Sequence, residues 1–407
     1  MSVHEKELHP DEKVKLGSLG PATTKVAGGA GSLLLVVTVI LGVTEGDEME
    51  RFFHTYLVSL TYFLTVALGA LFFVILQPLV RARWSVVVRR LAEILSMTFP
   101  LLAVLTLVGI VIPMFAGNDG LYEWVNPDPG DHLLAGKTGY LNKTFFFLRL
   151  ALYFGVWIFL SRWFFKQSSR QDETGDAQIS ERMRIVSAPA LIAYAFTTAF
   201  AGFDLLMSLH ANWYSTMFGV YFFSGSAIAI MAVLALVPMA LQARGRLVHS
   251  ITVEHYHDVG KLLFAFVFFW GYIAFSQFML IWYADIPEET IWFKHRMMTD
   301  WSWLSLVLLF GHFIIPFVLL LSRETKRRLQ LLAFFAVWML VMHFADLFWI
   351  VMPEYDDHHF TFHAMDVTAF LGIGGLFVAY AAWVGSRGNL IPVKDPNLGK
   401  SLAFENI

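Results

Sequence analysis

The chain has 407 residues, of which 57% are hydrophobic and only 15% charged, with a net charge of −3. Soluble domains carry about 25% charged residues, so this balance excludes an ordinary soluble enzyme and points to a lipid-embedded protein. There is no cysteine, which removes disulfides, thiolate zinc sites, Fe–S clusters and c-type haem attachment; segregation of the charges along the chain leaves no nucleic-acid-binding face.

Met1 to Lys25 is polar and has no short apolar run followed by a small-residue cleavage site, so it reads as a cytoplasmic tail. A helix that crosses the hydrocarbon core needs about 20 apolar residues. Ten stretches qualify, over 24–44, 52–80, 91–116, 142–166, 184–209, 214–242, 258–284, 299–321, 329–352 and 361–384. The expected fold is therefore an all-α membrane protein of about ten transmembrane helices. Basic residues decide its orientation. The N-tail, the C-tail and the links after predicted helices 2, 4, 6 and 8 hold 22 of the 29 lysines and arginines. The opposite loops hold five, namely Arg51, Lys137, Lys143, Lys294 and Arg296, while Arg149 and Lys261 lie inside helices. Both termini are thus expected in the cytoplasm of a bacterium, with the chain in its inner membrane.

The order of the helices carries a faint repeat. Arg81-Ala-Arg83 before helix 3 is echoed by Arg244-Gly-Arg246 before helix 7, and Leu160-Ser161-Arg162 by Leu321-Ser322-Arg323. Phe203-Asp204-Leu205 is matched by Ala345-Asp346-Leu347. Two four-helix bundles are expected, helices 2–5 and 6–9, flanked by helices 1 and 10. This divides the chain into a tail (1–25), helix 1 with the first bundle (26–210), the second bundle (211–352), and helix 10 with the C-terminal tail (353–407).

Ionisable groups within a bilayer are costly and mark function by default. The cytoplasmic third offers Glu93, His257, Asp258 and Lys261; the outer third offers Arg149, Asp204, His343, Asp346, His363 and Asp366, with His54 and His210 at the rim. Such groups suit two half-channels for protons. Tyr194, Thr197, Thr198, Ser224, Ser226, Tyr272, Ser276 and Gln277 are candidates to bridge the middle. The bland alternatives are that Glu93 and Lys261 snorkel to the headgroups and that Arg149 and Asp204 form a structural ion pair. Phe, Trp and Met stripes read as packing. A b-type haem needs two axial histidines at one depth. Counting residues from the helix ends sets His312 and His343 roughly 10 Å apart in depth, so no such pair is expected. No catalytic residue and no metal site is assigned.

The most distinctive stretch runs from Phe203 to Tyr221 (FDLLMSLHANWYSTMFGVY), followed by Glu254 to Lys261 (EHYHDVGK). These segments resemble the helix 5–6 junction and the next recurring segment of the polysulfide-reductase-C-like (NrfD-like) membrane subunits of alternative complex III. Length favours the smaller of its two such subunits, often labelled quinone-binding subunit 2. The resemblance implies a quinol:acceptor oxidoreductase, with a homologous NrfD-like subunit, an Fe–S subunit and c-type cytochrome subunits as partners, lipid around it and menaquinone as a possible ligand. It implies no redox cofactor in this chain. A proton pathway through Glu93, Arg149, Asp204, His257, Asp258, Lys261, His343, Asp346 and Asp366 is the favoured role. A quinone site at Asp204, Arg149 and His54 is the alternative, and a secondary transporter the third. Against the transporter stand the parallel sense of the repeat and the lack of paired Gly/Pro breaks at mid-depth.

Overall fold

The computed structural model describes residues 5–45, 49–127, 130 and 132–406; the first four residues of the expected tail lie outside them. No strand occurs among the described residues. Ten helices among these residues are long and apolar enough to cross a membrane. They are helix 1 (Leu19–Glu45), helix 2 (Glu50–Leu79), helix 3 (Arg83–Phe115), helix 4 (Lys143–Thr174) and helix 5 (Ala177–Leu205). Helix 6 (Phe218–Ala243), helix 7 (Val253–Ala284), helix 8 (Ser302–Leu320), helix 9 (Leu329–Val351) and helix 10 (Ala364–Gly385) complete the set. The protein is a multi-pass, all-α membrane protein.

Helices 4 and 5 run well beyond the expected ends at 166 and 184. Only Gly175 and Asp176 separate them. Gly175 takes φ 69°, which ends helix 4, and the Asp176 carboxylate accepts from the Gln178 amide at 2.9 Å, which starts helix 5. Hydropathy marks where lipid stops, not where a helix does. Hydropathy also passed over Pro287–Met297, a surface helix between helices 7 and 8 that is too short to span.

Helices 3 and 8 were expected to run without interruption. Instead each widens into a π-helical segment, Leu107–Val111 and Leu308–Ile314. The cause is local: Pro113 and Pro316 follow closely, and a proline lacks an N–H and crowds the carbonyl one turn back. Each segment also contains a glycine, Gly109 or Gly311. Paired Gly/Pro features are therefore present, and that objection to a transporter lapses.

Helices 2 and 6 form the centre. Helix 2 is enclosed along its apolar length, and it approaches helix 6 so closely that a Cβ on Gly69 would fall 2.1 Å from the Ser226 carbonyl oxygen. Helix 2 packs on helices 3 and 5 as helix 6 packs on helices 7 and 9, with helices 4 and 8 completing the two groups. Helix 10 packs on helix 2, and helix 1 lies almost wholly on helix 10.

Both tails meet the links after helices 2, 4, 6 and 8 at one end. Leu390 N bonds the Val14 carbonyl at 2.7 Å, Ser401 Oγ the Trp84 carbonyl at 2.6 Å and Lys394 Nζ the Glu173 carbonyl at 2.7 Å, while Asn406 Nδ2 reaches the Glu254 carbonyl at 3.0 Å. This is called the tail end below, and the opposite end the far end.

Candidate functional site

The expected site residues separate into ion-paired clamps and one differently held acid. In the far half of the first bundle, Arg149 grips Asp204 with two bonds, Nε to Oδ2 at 2.8 Å and Nη2 to Oδ1 at 2.9 Å. Tyr153 donates a third at 2.8 Å. The guanidinium also bonds the Tyr140 carbonyl and lies 3.8 Å from that ring's centre. Burial, joined by the Asp204 charge, pushes the Tyr140 phenol up to about 12, so it stays neutral at working pH. His54 is elsewhere, bonding the Glu50 carbonyl and packing on Tyr355.

Asp366 accepts from Thr55 at 2.6 Å and Arg51 at 3.2 Å, which ties the start of helix 10 to helix 2. At the tail end Glu93 lies between Arg89 at 3.1 Å and Arg90 at 2.8 Å. Those arginines reach on to Asp395 and Asp172 at 2.8 and 3.0 Å, so Glu93 belongs to a network that fastens the C-terminal tail. Lys261 pairs with Asp258 and is 47% exposed; it also bonds Asn406 at 2.8 Å. His257 is buried beside them, and no protein group reaches its Nδ1. Of the expected bridge, Tyr272 points outward at 57% exposure, and Ser276 bonds the Tyr272 carbonyl of its own helix. Tyr194, Thr197, Thr198, Ser224, Ser226 and Gln277 are buried.

Asp346, on helix 9, is held differently. Its partners are the Tyr221 hydroxyl of helix 6 and Trp270 Nε1 of helix 7 at 3.3 Å, both neutral. One turn away, His343 Nε2 bonds Thr65 Oγ1 of helix 2 at 2.7 Å. Gly225 makes room for this imidazole, since a Cβ there would lie 2.8 Å from it. His312, on the π segment of helix 8, rests 3.9 Å from Trp270 between ring centres.

The depth estimate for the two histidines needs correcting. Trp338 Nε1 of helix 9 bonds the Gly311 carbonyl at 2.7 Å, and a Cβ on Gly311 would meet Met342 Sδ at 2.7 Å. Positions 312 and 343 therefore lie at similar depth. Helix 8 starts at Ser302 rather than 299, so His312 lies ten residues from its far end, close to the eight that separate His343 from Val351. Trp270 covers His312, and Thr65 Oγ1 occupies His343 Nε2. Both nitrogens of His312 and Nδ1 of His343 have no protein partner. Among the described residues no three His, Asp or Glu side chains gather as metal ligands.

Beside this acid lies a cavity of about 530 Å³ between helices 6, 7 and 8 and the surface helix Pro287–Met297. Tyr221 and Trp270 form its inner wall, and Trp292 and Phe293 its far-end side. Phe275, Leu306 and Leu309 are both wall and exposed surface, so it opens sideways toward lipid. Gln277 lines it with a buried Oε1 that has no partner. The roof is fixed by Arg296, wholly buried. It donates to the Trp349 and Ile350 carbonyls at the end of helix 9 and to Glu354 at 2.8 Å.

Tyr221, Trp270, His312, Thr65 and the cavity did not emerge from the sequence as a site. Tyr221 closes the FDLLMSLHANWYSTMFGVY stretch but is not among the tyrosines singled out there, and Trp270 falls among the Trp residues that read as packing. Their polar tips carry the difference, because a buried Tyr O–H or Trp N–H must find an acceptor. The chain matches no known family model and no curated protein.

Proposed function

We propose that this chain is a membrane subunit of a quinol:acceptor oxidoreductase of the alternative complex III kind, without a redox centre of its own, that carries protons across the bilayer. One observation carries the reading. Of the five expected carboxylates Glu93, Asp204, Asp258, Asp346 and Asp366, only Asp346 is held by neutral donors alone, while the others pair with Arg or Lys. A carboxylate in an ion pair must break that pair to take a proton. Asp346 need not. Tyr221 links it to the far-end cavity; one turn along helix 9 His343 bonds Thr65, and His312 packs on Trp270 beside them. Ser224 and Ser226 add buried hydroxyls along helix 6 beyond Tyr221, and His257, Asp258 and Lys261 lie at the tail end of helix 7.

The resemblance supplies the partners: a homologous NrfD-like subunit, an Fe–S subunit and c-type cytochromes. Purification from the native membrane tests this, with Fe–S and haem-bearing partners expected to accompany the chain. A chain that purifies alone and moves a solute after reconstitution would favour the transporter instead. The charge imbalance supports an orientation with the tail end in the cytoplasm, and the resemblance supports a bacterial inner membrane. Reporter fusions at Gly175 and Arg244 are expected to signal cytoplasm, and at Gly130 and Asp357 periplasm. A periplasmic signal at Gly175 overturns that orientation.

A second reading, quinol binding by this same subunit, is favoured by the aromatic cavity and the unpartnered Gln277 Oε1. The flat apolar walls suit a quinol ring, and Gln277 would accept from one of its hydroxyls. It relocates the quinone site from Asp204, Arg149 and His54 to the second bundle.

A further inference from the structure

A second pocket, of about 260 Å³, lies at the tail end of the first bundle, away from Asp346. It is framed by the end of helix 2, the starts of helices 3 and 5, and the C-terminal tail. Its charged lining is Arg81, Arg83, Arg89, Arg184 and Lys400 against Glu181 and Asp395. Arg89 is engaged with Glu93 and Asp395, and Arg184 with Glu181. Arg81 and Arg83 form no salt bridge among the described residues, and both are exposed. Arg81 is held at φ 54°, a conformation that side-chain-bearing residues seldom adopt. The first turns of helices 3 and 5 add amide dipoles favourable to an anion.

The pocket also contains acceptors. Gln77 is only 4% exposed, lines the cavity, and has no partner for its Oε1. A bare phosphate offers this atom little, since it is mainly an acceptor itself. A phosphodiester carrying hydroxyls satisfies both sides, its phosphate on the arginines and a hydroxyl on Gln77. The pocket's position selects the source. Val80 and Ile185, next to its lining residues, are exposed apolar side chains, and Ile192 and Phe196 continue the exposed surface along helix 5. Acyl chains fit there.

We propose that this pocket binds the headgroup of a hydroxylated anionic phospholipid from the leaflet at the tail end. The proposal is independent of the proton and quinol readings. Its test is native mass spectrometry of the full chain, delipidated and titrated with phosphatidylglycerol, phosphatidic acid or phosphatidylcholine. Phosphatidylglycerol is expected to bind most tightly. The double variant Arg81→Gly, Arg83→Ala suits the positive φ and removes the two arginines that form no salt bridge among the described residues; it is expected to weaken phosphatidylglycerol roughly 10- to 30-fold. Lys400→Gln alone should weaken it about threefold to fivefold. Arg162→Ala with Arg170→Ala, exposed basic residues outside the pocket, should leave binding unchanged. Equal loss in this control, or no loss in the pocket variants, overturns the proposal. Displacement of the lipid by millimolar inorganic phosphate would identify a soluble anion and overturn the lipid source.

Discussion

Arg149→Ala is expected to lower the stability of the detergent-solubilised protein by about 3–5 kcal/mol, the usual cost of removing one partner of a buried ion pair. Asp204 is 0% exposed and receives two bonds from Arg149. Truncation leaves its buried charge with neutral donors only, chiefly Tyr153. Asp204→Ala should cost a similar amount, because it strands a guanidinium that is itself buried. The decisive comparison is the double variant Arg149→Met, Asp204→Leu. Two apolar side chains of similar volume remove both charges together, so most of the stability should return. Thermal melting of the three variants measures this. If the double variant melts no higher than either single one, packing rather than charge pairing holds helices 4 and 5 there.

The second large effect falls on Asp346. Asp346→Asn keeps the volume and one of the two hydrogen bonds, so assembly should survive with a stability change of about 1 kcal/mol. It cannot ionise, and proton-coupled turnover is expected to fall roughly 10²-fold, the low end of what a positioned proton-transfer group contributes. Quinol binding should be unaffected. Ala274→Trp separates the two readings, because it fills the cavity while leaving Asp346 and its partners in place. If quinol is oxidised in this cavity, Ala274→Trp abolishes oxidation and weakens quinone-site inhibitors. If the chain only carries protons, inhibitor affinity stays as it was. Glu93→Gln provides a contrast, since Glu93 is bound by two arginines and its loss should loosen the C-terminal tail. Normal proton release by Asp346→Asn would sink the proton route.

The ten spans were legible because about 20 apolar residues in a row have few other uses in a folded chain. The side on which the tails lie relative to the links was also legible, through basic residues that headgroups select. What lies inside the protein and what faces lipid was not. Helix 2 is enclosed and helix 1 is largely exposed, yet both are apolar on every side, since lipid tails and a protein core make the same demand. The acids were found, and Arg149 was found as the partner of Asp204, but the distant partners were not. Asp395 reaches Arg89 across 306 residues of sequence, and Thr65 reaches His343 across 278. No local pattern encodes such pairings. The π segment that carries His312 had a signal in Pro316, but a proline alone does not say whether a helix bends, breaks or widens.

The contact between helices 1 and 10 bears on how the protein is made. A Cβ on Gly31 would lie 2.7 Å from the Gly372 carbonyl oxygen, and one on Gly375 would lie 2.7 Å from the Ala27 carbonyl oxygen. Thr38 and Thr368 share a hydrogen bond of 2.9 Å farther along. Helix 1 therefore has its seat on a helix synthesised more than 300 residues later. During translation it must wait in the bilayer, released from the insertion machinery but without its partner, while eight other helices enter and pack. At the ribosome's pace of about 5–20 residues per second, that wait lasts at least some 15 seconds. A bulky residue at Gly31 or Gly375 would thus leave the other helices free to assemble normally, and the defect would appear only at the end, as a first helix adrift in lipid and open to membrane proteases.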